Sequence, residues 1–500
     1  MASKFRKATM ALALSTLIAG PLFNIQNVLA AEERPTITWM NMLHTASPPN
    51  NVIEELLEEY TKTNLDITWI PDASKEERLT TALASNDLAD IVTITLMKNS
   101  SVRNAMKSGM FWDVKPYLKD YPNLAKISED RIKAASIEGK LYGIPFQKAY
   151  ARGGMTLRKD WLDNLGLEVP KTMDELYEVL RAFTFDDPDG NGKDDTVGLG
   201  DRNDLRYSSF KTFASYFGAP NGWKVTDEGK FIPEFETEEY MKTMDFSHRL
   251  YKEGILQQDF AVTSKADQDD QFVNGKTGAY TGIVSINGHR NKMAAALGEG
   301  NFELIPVNKI DGVGDGNYHI WSEGNGVNGV LAFPVTNVKT EEDLRVLLKF
   351  VNDLMDEEAY MLMTGGIEGK HYEFDDEGVY KIIDSDLWGQ EVQPYSGSRP
   401  NEIDITLKSG YEGKRLSDEM IRENDKFAVM DPSVPLDSAT MNERGSELTK
   451  IIEDATVQYI MGEIDKDGFQ EAVKRWRDQG GTQIISEYEE AYKLAQSSEQ

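Results

Sequence analysis

The chain has 500 residues, 40% of them hydrophobic, and a formal net charge of −30. That length exceeds a single core, so about two or three domains are expected; so acidic a surface excludes a phosphate backbone as natural partner and repels anions at long range. Cysteine is absent, which excludes disulfides, thiolate zinc sites and a cysteine nucleophile.

The N-terminus reads as an export signal over residues 1–30. Lys4, Arg6 and Lys7 precede an apolar run from Met10 to Phe23, and Val28-Leu29-Ala30 places small residues before cleavage near Ala30 or Ala31. The run is short and Pro21 interrupts it, which disfavours a spanning helix. No later stretch is apolar enough to span, so the mature chain is expected outside the cytoplasm with no transmembrane segment.

Thr36 to Met40 reads as a strand, Val52 to Tyr60 as an amphipathic helix, and Leu65 to Ile70 as a second strand. A helix from Lys75 to Ser85 and a strand from Asp90 to Ile94 follow. This alternation predicts an α/β fold with a mostly parallel sheet. Its ligands bind at the carboxyl ends of strands, here Asn41 to Thr45 and Leu96 to Ser100. Gly139 to Phe146, Gly275 to Val284 and Leu331 to Thr336 are extended and marked by Gly or Pro. They predict a chain that crosses about three times between two lobes. Arg158 to Gly166 reads as a helix closed by glycine, and Thr172 opens another that runs to Ala182. Helices are further expected over Tyr240–Gly254, Leu344–Met363 (one or two) and Glu447–Leu494, the last broken at Gly480-Gly481; Phe302–Val307 reads as a strand. The lobe boundaries expected are 31–148 with 277–335 for the first lobe, and 149–276 with 336–500 for the second.

Between these elements lies Asp187-x-Asp189-x-Asn191-Gly192-Lys193-x-Asp195. Calcium takes six to eight oxygens, and the first half of an EF-hand loop supplies them at this spacing. Asp187, Asp189, Asn191 and Asp195 offer side chains and Lys193 its carbonyl. The twelfth position is Gly198 rather than a glutamate, so Thr196, Asp194 or a residue elsewhere must complete the set. A solvated acidic turn is the plainer alternative. A bound ion would be structural.

Catalytic signatures are missing: no HExxH, GxSxG or P-loop occurs, and there are five histidines. Paired carboxylates of a glycosidase stay open, because 84 acidic residues offer many pairs. Trp39, Trp223, Trp321 and Trp388 lie in polar, Gly-rich text suited to stacking a sugar ring, although for any one of them ordinary packing is the commoner fate. Trp321, followed by Ser322, Glu323 and Asn325, is the preferred stacking residue. Trp161, Trp476 and Trp69 read as packing residues. Asn41, His44, Tyr150, Arg152 and Tyr280 flank predicted strand ends or crossings and could line a cleft.

The stretch RKDWLDNLGLEVPKTMDELYEVLRAF, running into DPDGNGKDD, resembles the oligosaccharide group of family 1 extracellular solute-binding proteins. GKLYGIPF, GIEGKHY and KRWRDQGGTQIISEYEEAY extend the resemblance over nearly the whole mature chain. It implies a periplasmic-binding-protein fold of two α/β lobes joined by a hinge, with a ligand enclosed between them. It implies an oligosaccharide ligand handed to an ABC permease, a monomeric, non-enzymatic protein, and structural calcium in the Asp187–Asp195 loop. One departure matters: Leu17-Ile18-Ala19-Gly20 leads not to a lipidated cysteine but to Pro21, so no lipid anchor is expected. The net charge favours a neutral sugar, unless arginines such as Arg152 reverse the field locally. A secreted glycoside hydrolase and a binding protein for peptides or another small polar solute are the alternatives.

Overall fold

Buried apolar residues alternate along the first strand, where Ile37, Trp39 and the Met42–Leu43 pair turn inward. This period-two pattern builds one face of a sheet. The computed structural model describes residues 34–498 except 46, 285 and 404. The expected export signal lies outside the described residues.

Twelve strands position the site. They are β1 (Thr36–Leu43), β2 (Asn64–Pro71), β3 (Ile91–Ile94), β4 (Ile144–Gln147), β5 (Gly153–Arg158) and β6 (Val197–Leu199). Then come β7 (Trp223–Val225), β8 (Phe231–Pro233), β9 (Thr277–Ile283), β10 (Leu304–Val307), β11 (Ile320–Trp321) and β12 (Val327–Ala332). The first sheet has the order β2-β1-β3-β12-β4 and the second β10-β5-β9-β6, while β7 and β8 form a hairpin. Helices cover both sheets, giving the two-lobe α/β architecture expected.

The lobe boundaries differ from the expectation. β9 is not part of the first lobe: it lies between β5 and β6 in the second sheet, and β10 pairs with β5. Its glycines mark close packing rather than a crossing. A Cβ on Gly278 would stand 2.3 Å from the Phe183 ring and 2.8 Å from that of Trp161. Conversely, residues from Val338 to Tyr395 pack into the first core rather than the second. The helices Glu341–Asp353 and Glu357–Thr364 cover the first sheet, with Phe350 edge-on to Trp39 at 6.0 Å. The C-terminal helices Ala439–Met461, Lys466–Trp476 and Thr482–Ser498 close the second core. The Gly480-Gly481 break is a short π-helical stretch, Arg477–Gly481, in which Gly480 has φ 149°.

Three crossings do occur, none of them within the stretches expected. Residues 148–152 link β4 to β5, just beyond the predicted Gly139–Phe146. Residues 322–326 link β11 to β12. A third passage leaves Ser398 and reaches Tyr411, whose hydroxyl accepts from Leu304 N–H at 3.1 Å. Leu331–Thr336, by contrast, lies inside the first lobe. The crossings are stitched together. Lys148 N–H donates to Gly326 O at 3.0 Å and Glu323 N–H to Tyr150 O at 3.0 Å; Gln147 exchanges backbone bonds with Pro400 O and Glu402 N–H at 2.9 and 3.0 Å.

Candidate functional site

Strand direction decides which edge of each lobe faces the crossings. β1, β2 and β3 run parallel, and β12 runs antiparallel between β3 and β4. The carboxyl ends of β3 and β4 therefore meet the start of β12, where the second crossing enters. In the second lobe Gly153, the first residue of β5, pairs with Ile283, the last of β9. The loop after β6, residues 200–208, opens on that same edge.

Four of the residues singled out from sequence converge there. Arg152 Nη2 donates to Glu323 Oε2 at 2.6 Å, joining the first and second crossings. Tyr150 lies under the Arg131 guanidinium, 4.0 Å from its ring centre, and its hydroxyl meets Ser128 Oγ at 3.0 Å. Trp321 lies beside Gly153; a Cβ there would stand 3.0 Å from the indole nitrogen. Arg152 Nε, Glu323 Oε1, Trp321 Nε1 and Gln147 Nε2 are all buried without a hydrogen-bond partner. Unpartnered buried polar atoms are costly, by about 1–3 kcal/mol each, and four of them meet at this junction.

The stacking surface is not the one expected. Trp321 is 2% exposed, closed in by Gly153 and by Tyr207, whose ring is 5.7 Å away and edge-on. Tyr207 is half-buried and packs edge-on against Trp321, with the Arg206 guanidinium 5.6 Å from its ring centre. Trp223 is a packing residue, enclosed by Tyr488 at 5.2 Å and Trp476 at 6.4 Å. Tyr280 is buried against Phe272 and His289. Both are buried in the second lobe. Asn41 is fully buried; its amide donates to Ser398 Oγ at 2.6 Å and accepts from Thr93 Oγ1 at 3.0 Å. His44 is exposed at the end of β1, 3.6 Å from Asp72, and its ring lies against Gly397. Trp388 donates its indole N–H to Thr364 O at 2.9 Å on the first lobe, beside Arg399, which donates to Thr364 Oγ1 at 2.7 Å.

Sequence reading missed the loop that carries Arg206 and Tyr207. Its signal was available, since it follows the carboxyl end of β6, where ligands of α/β sheets bind. Asp201 begins it, buried, accepting from Ser209 N–H and Oγ–H at the start of the helix Ser209–Tyr216. Burial pushes its carboxyl up to about 6, against the pull of Ser209 and Arg202. The sequence also hid Gln147, Lys148 and Glu402, brought together only by the crossings; Lys148 and Glu402 form an ion pair at 3.2 Å.

The acidic loop lies away from this junction, between the helix Met173–Phe185 and β6. It takes the backbone of a tight turn, with positive φ at Asp187, Gly190 and Gly192 (48°, 66° and 77°). Asp187 accepts from Asn191 and Gly192 N–H at 3.1 and 3.0 Å. The Asn191 side-chain amine lies between Asp189 at 2.8 Å and Asp195 at 3.1 Å. Among the described residues no three His, Cys, Asp or Glu side chains converge as a metal-holding group. The donors fit calcium in chemistry, being hard oxygens on a tight turn, but their carboxylates close around an amide rather than a common point. Thr196 is unavailable as the missing ligand: it is buried and donates to Phe183 O at 2.9 Å.

The sequence profile of bacterial extracellular solute-binding proteins matches residues 45–360. The chain belongs to that family. A curated relative, the polygalacturonan/rhamnogalacturonan-binding protein YtcQ of Bacillus subtilis, is 43% identical over 496 residues, covering 97% of this chain and 98% of its own. Among solved structures, a solute-binding protein of Bifidobacterium longum infantis described as HMO-binding and ABC-transporter-associated superposes with a TM-score of 0.72 at 19% identity, covering 93% of this chain and 99% of its own. An EF-hand mutant of the Streptococcus pneumoniae substrate-binding protein FusA, in complex with fructo-nystose, gives 0.62 at 18% identity over 93% and 100%. Those two likenesses establish the two-lobe fold. Among the described residues no helix is long and apolar enough to cross a membrane.

Proposed function

We propose that this solute-binding protein captures an oligosaccharide between its lobes, without chemical conversion, and delivers it as a monomer to an ABC permease. The observation that carries the reading is the junction of crossings. There Tyr207 offers an aromatic face to a ring, and Arg152, Glu323, Trp321 and Gln147 hold polar atoms without partners. A pyranose satisfies both, because its C–H face stacks and its hydroxyls both donate and accept. YtcQ, a polysaccharide-binding relative by name, supports the same ligand class. A ligand touching both lobes shifts the population toward the closed form in proportion to its differential affinity. The Arg152–Glu323 pair and the stitched crossings support a hinge beside the ligand.

We infer further that the Asp187–Asp195 loop takes structural calcium. Turning the Asn191 amide would present its oxygen beside Asp187, Asp189 and Asp195. The ion would stiffen the turn between Phe185 and Val197, and the FusA EF-hand variant is a parallel within the fold.

A thermal-shift panel of saccharides and peptides, run with calcium and with chelator, tests both. A bound saccharide at a hundredfold excess over its Kd stabilises by about 2.7 kcal/mol. Stabilisation by peptides alone, or turnover of the saccharide, would replace this reading with one of its rivals. A melting temperature indifferent to calcium would remove the ion.

A further inference from the structure

The identity of residue 206 narrows the ligand class. This inference rests on the oligosaccharide reading above. Arg206 is exposed, and its guanidinium stands 5.6 Å from the Tyr207 ring centre and 5.9 Å from that of Trp321. Arginines nearby are already engaged: Arg152 pairs with Glu323 at 2.6 Å, and Arg202 reaches Asp204 at 3.5 Å. Among the described residues Arg206 has no ion-pair partner, in a chain whose acids outnumber its bases by 84 to 54.

The backbone presenting it is held from several sides. Asp204 Oδ1 accepts from Arg206 N–H at 2.9 Å and from Tyr207 N–H at 3.2 Å. Arg202, 5% exposed, donates to Tyr207 O at 2.8 Å. Beneath it, Gly282 has φ 121°, and a Cβ there would stand 2.6 Å from Tyr207 O. An exposed arginine and a half-buried tyrosine, held by a buried guanidinium, an Asx turn and a glycine without room for a side chain, are preorganised for contact.

We propose that Arg206 reads a ring carboxylate, and that the ligand is a uronic-acid oligosaccharide. A pyranose against Tyr207 brings its substituents alongside the guanidinium, 5.6 Å from that ring centre, whose planar fork matches a carboxylate with two parallel N–H donors. This reverses the neutral sugar expected from net charge. The long-range field of the protein repels anions, so a carboxylated sugar needs a local, uncompensated cation at the point of contact, and Arg206 is one. The aromatic pair beneath it excludes water from one side, which strengthens the contact.

Calorimetric titration of the full chain with trigalacturonate, its methyl ester and maltotriose tests this, on the wild type and on Arg206→Gln. The wild type should bind the free acid about tenfold or more tightly than the ester. Arg206→Gln should remove most of that preference while keeping the wild-type melting temperature, and added salt should narrow it in the wild type only. Equal binding of acid and ester by the wild type, or a preference that survives Arg206→Gln, overturns the assignment. Binding of maltotriose but not of trigalacturonate overturns the acidic class and leaves the oligosaccharide reading standing. Failure of every saccharide would overturn both.

Discussion

Away from the crossings a half-buried acid ties the lobes. Asp437 follows Leu436, a residue of the second core. Its carboxylate accepts from Arg103 Nε at 2.7 Å and Lys107 Nζ at 2.9 Å, both on the first-lobe helix Ser100–Lys107. Asn442 adds a third donor at 2.8 Å. The Arg103 side chain is 7% exposed and that of Asp437 20%. Asp437→Ala would leave the guanidinium with only the Met97 and Leu436 carbonyls, each 3.4 Å away. Breaking a fully buried pair costs about 3–5 kcal/mol, whereas exposed pairs contribute about 1 kcal/mol or less. Partial exposure of the acid, and the freedom of Lys107 to turn to solvent, place the loss at about 2 kcal/mol, roughly thirtyfold in the equilibrium. Urea unfolding of Asp437→Ala, Arg103→Ala and the double variant isolates the pair as a coupling energy. A coupling below about 0.5 kcal/mol would class the contact with exposed pairs and refute the reasoning. Asp437 is also held below its ordinary value of 3.8, burial being outweighed by Asn442, Lys107 and Arg103. Its contribution is therefore complete above that value and lost as pH falls through the lower folded one.

Glu391 makes the same prediction more sharply. Burial pushes its carboxyl up, but Lys370, Asn50 and His371 prevail and bring it down to about 2 from 4.5. His371 Nδ1 accepts from Ile367 N–H at 2.9 Å, so Nε2 carries the proton facing Glu391 at 2.8 Å. The stability it lends is full above pH 4.5 and disappears toward pH 2; in an unfolding midpoint measured against pH, Glu391→Gln should flatten that step. Gly278→Ala should cost about 1–3 kcal/mol through overpacking against Phe183 and Trp161, read as a lower urea midpoint. Trp223→Ala should destabilise by about 3–5 kcal/mol yet leave saccharide affinity in the folded fraction unchanged; a lost affinity would return Trp223 to the cleft.

Local pattern carried much of the fold into the sequence. The helix Val52–Thr61 was legible because Ile53 and Leu57 recur on one buried face, and the helix Met173–Phe185 because Thr172 caps it, accepting from Glu175 N–H at 3.2 Å. Distant pairing was not legible. Nothing in GKTGAYTGIV distinguishes a crossing from a central strand, since glycine permits both a turn and close packing. Tryptophan misled for a related reason: polar neighbours in sequence do not predict neighbours in space, and Trp223 has Trp476 and Tyr488 around it. Arg152 and Glu323 were each picked out alone, but their pairing across 171 residues depends on where two crossings meet. Tyr207 escaped notice because its role comes from Trp321 beneath it.

The position of β12 between β3 and β4 has a consequence for how the molecule comes into being. The first sheet cannot close until residues 327–332 have emerged, and its core is incomplete before Tyr395. By then all four strands of the second sheet have already been made. Neither lobe is thus a contiguous piece of chain that could mature ahead of the other. A nascent molecule must keep β3 and β4 apart, with an edge of each unpaired, across about 180 intervening residues of other structure, a separation that slows folding. Such open edges are adhesive, so during that interval association between chains competes with closure of the first sheet.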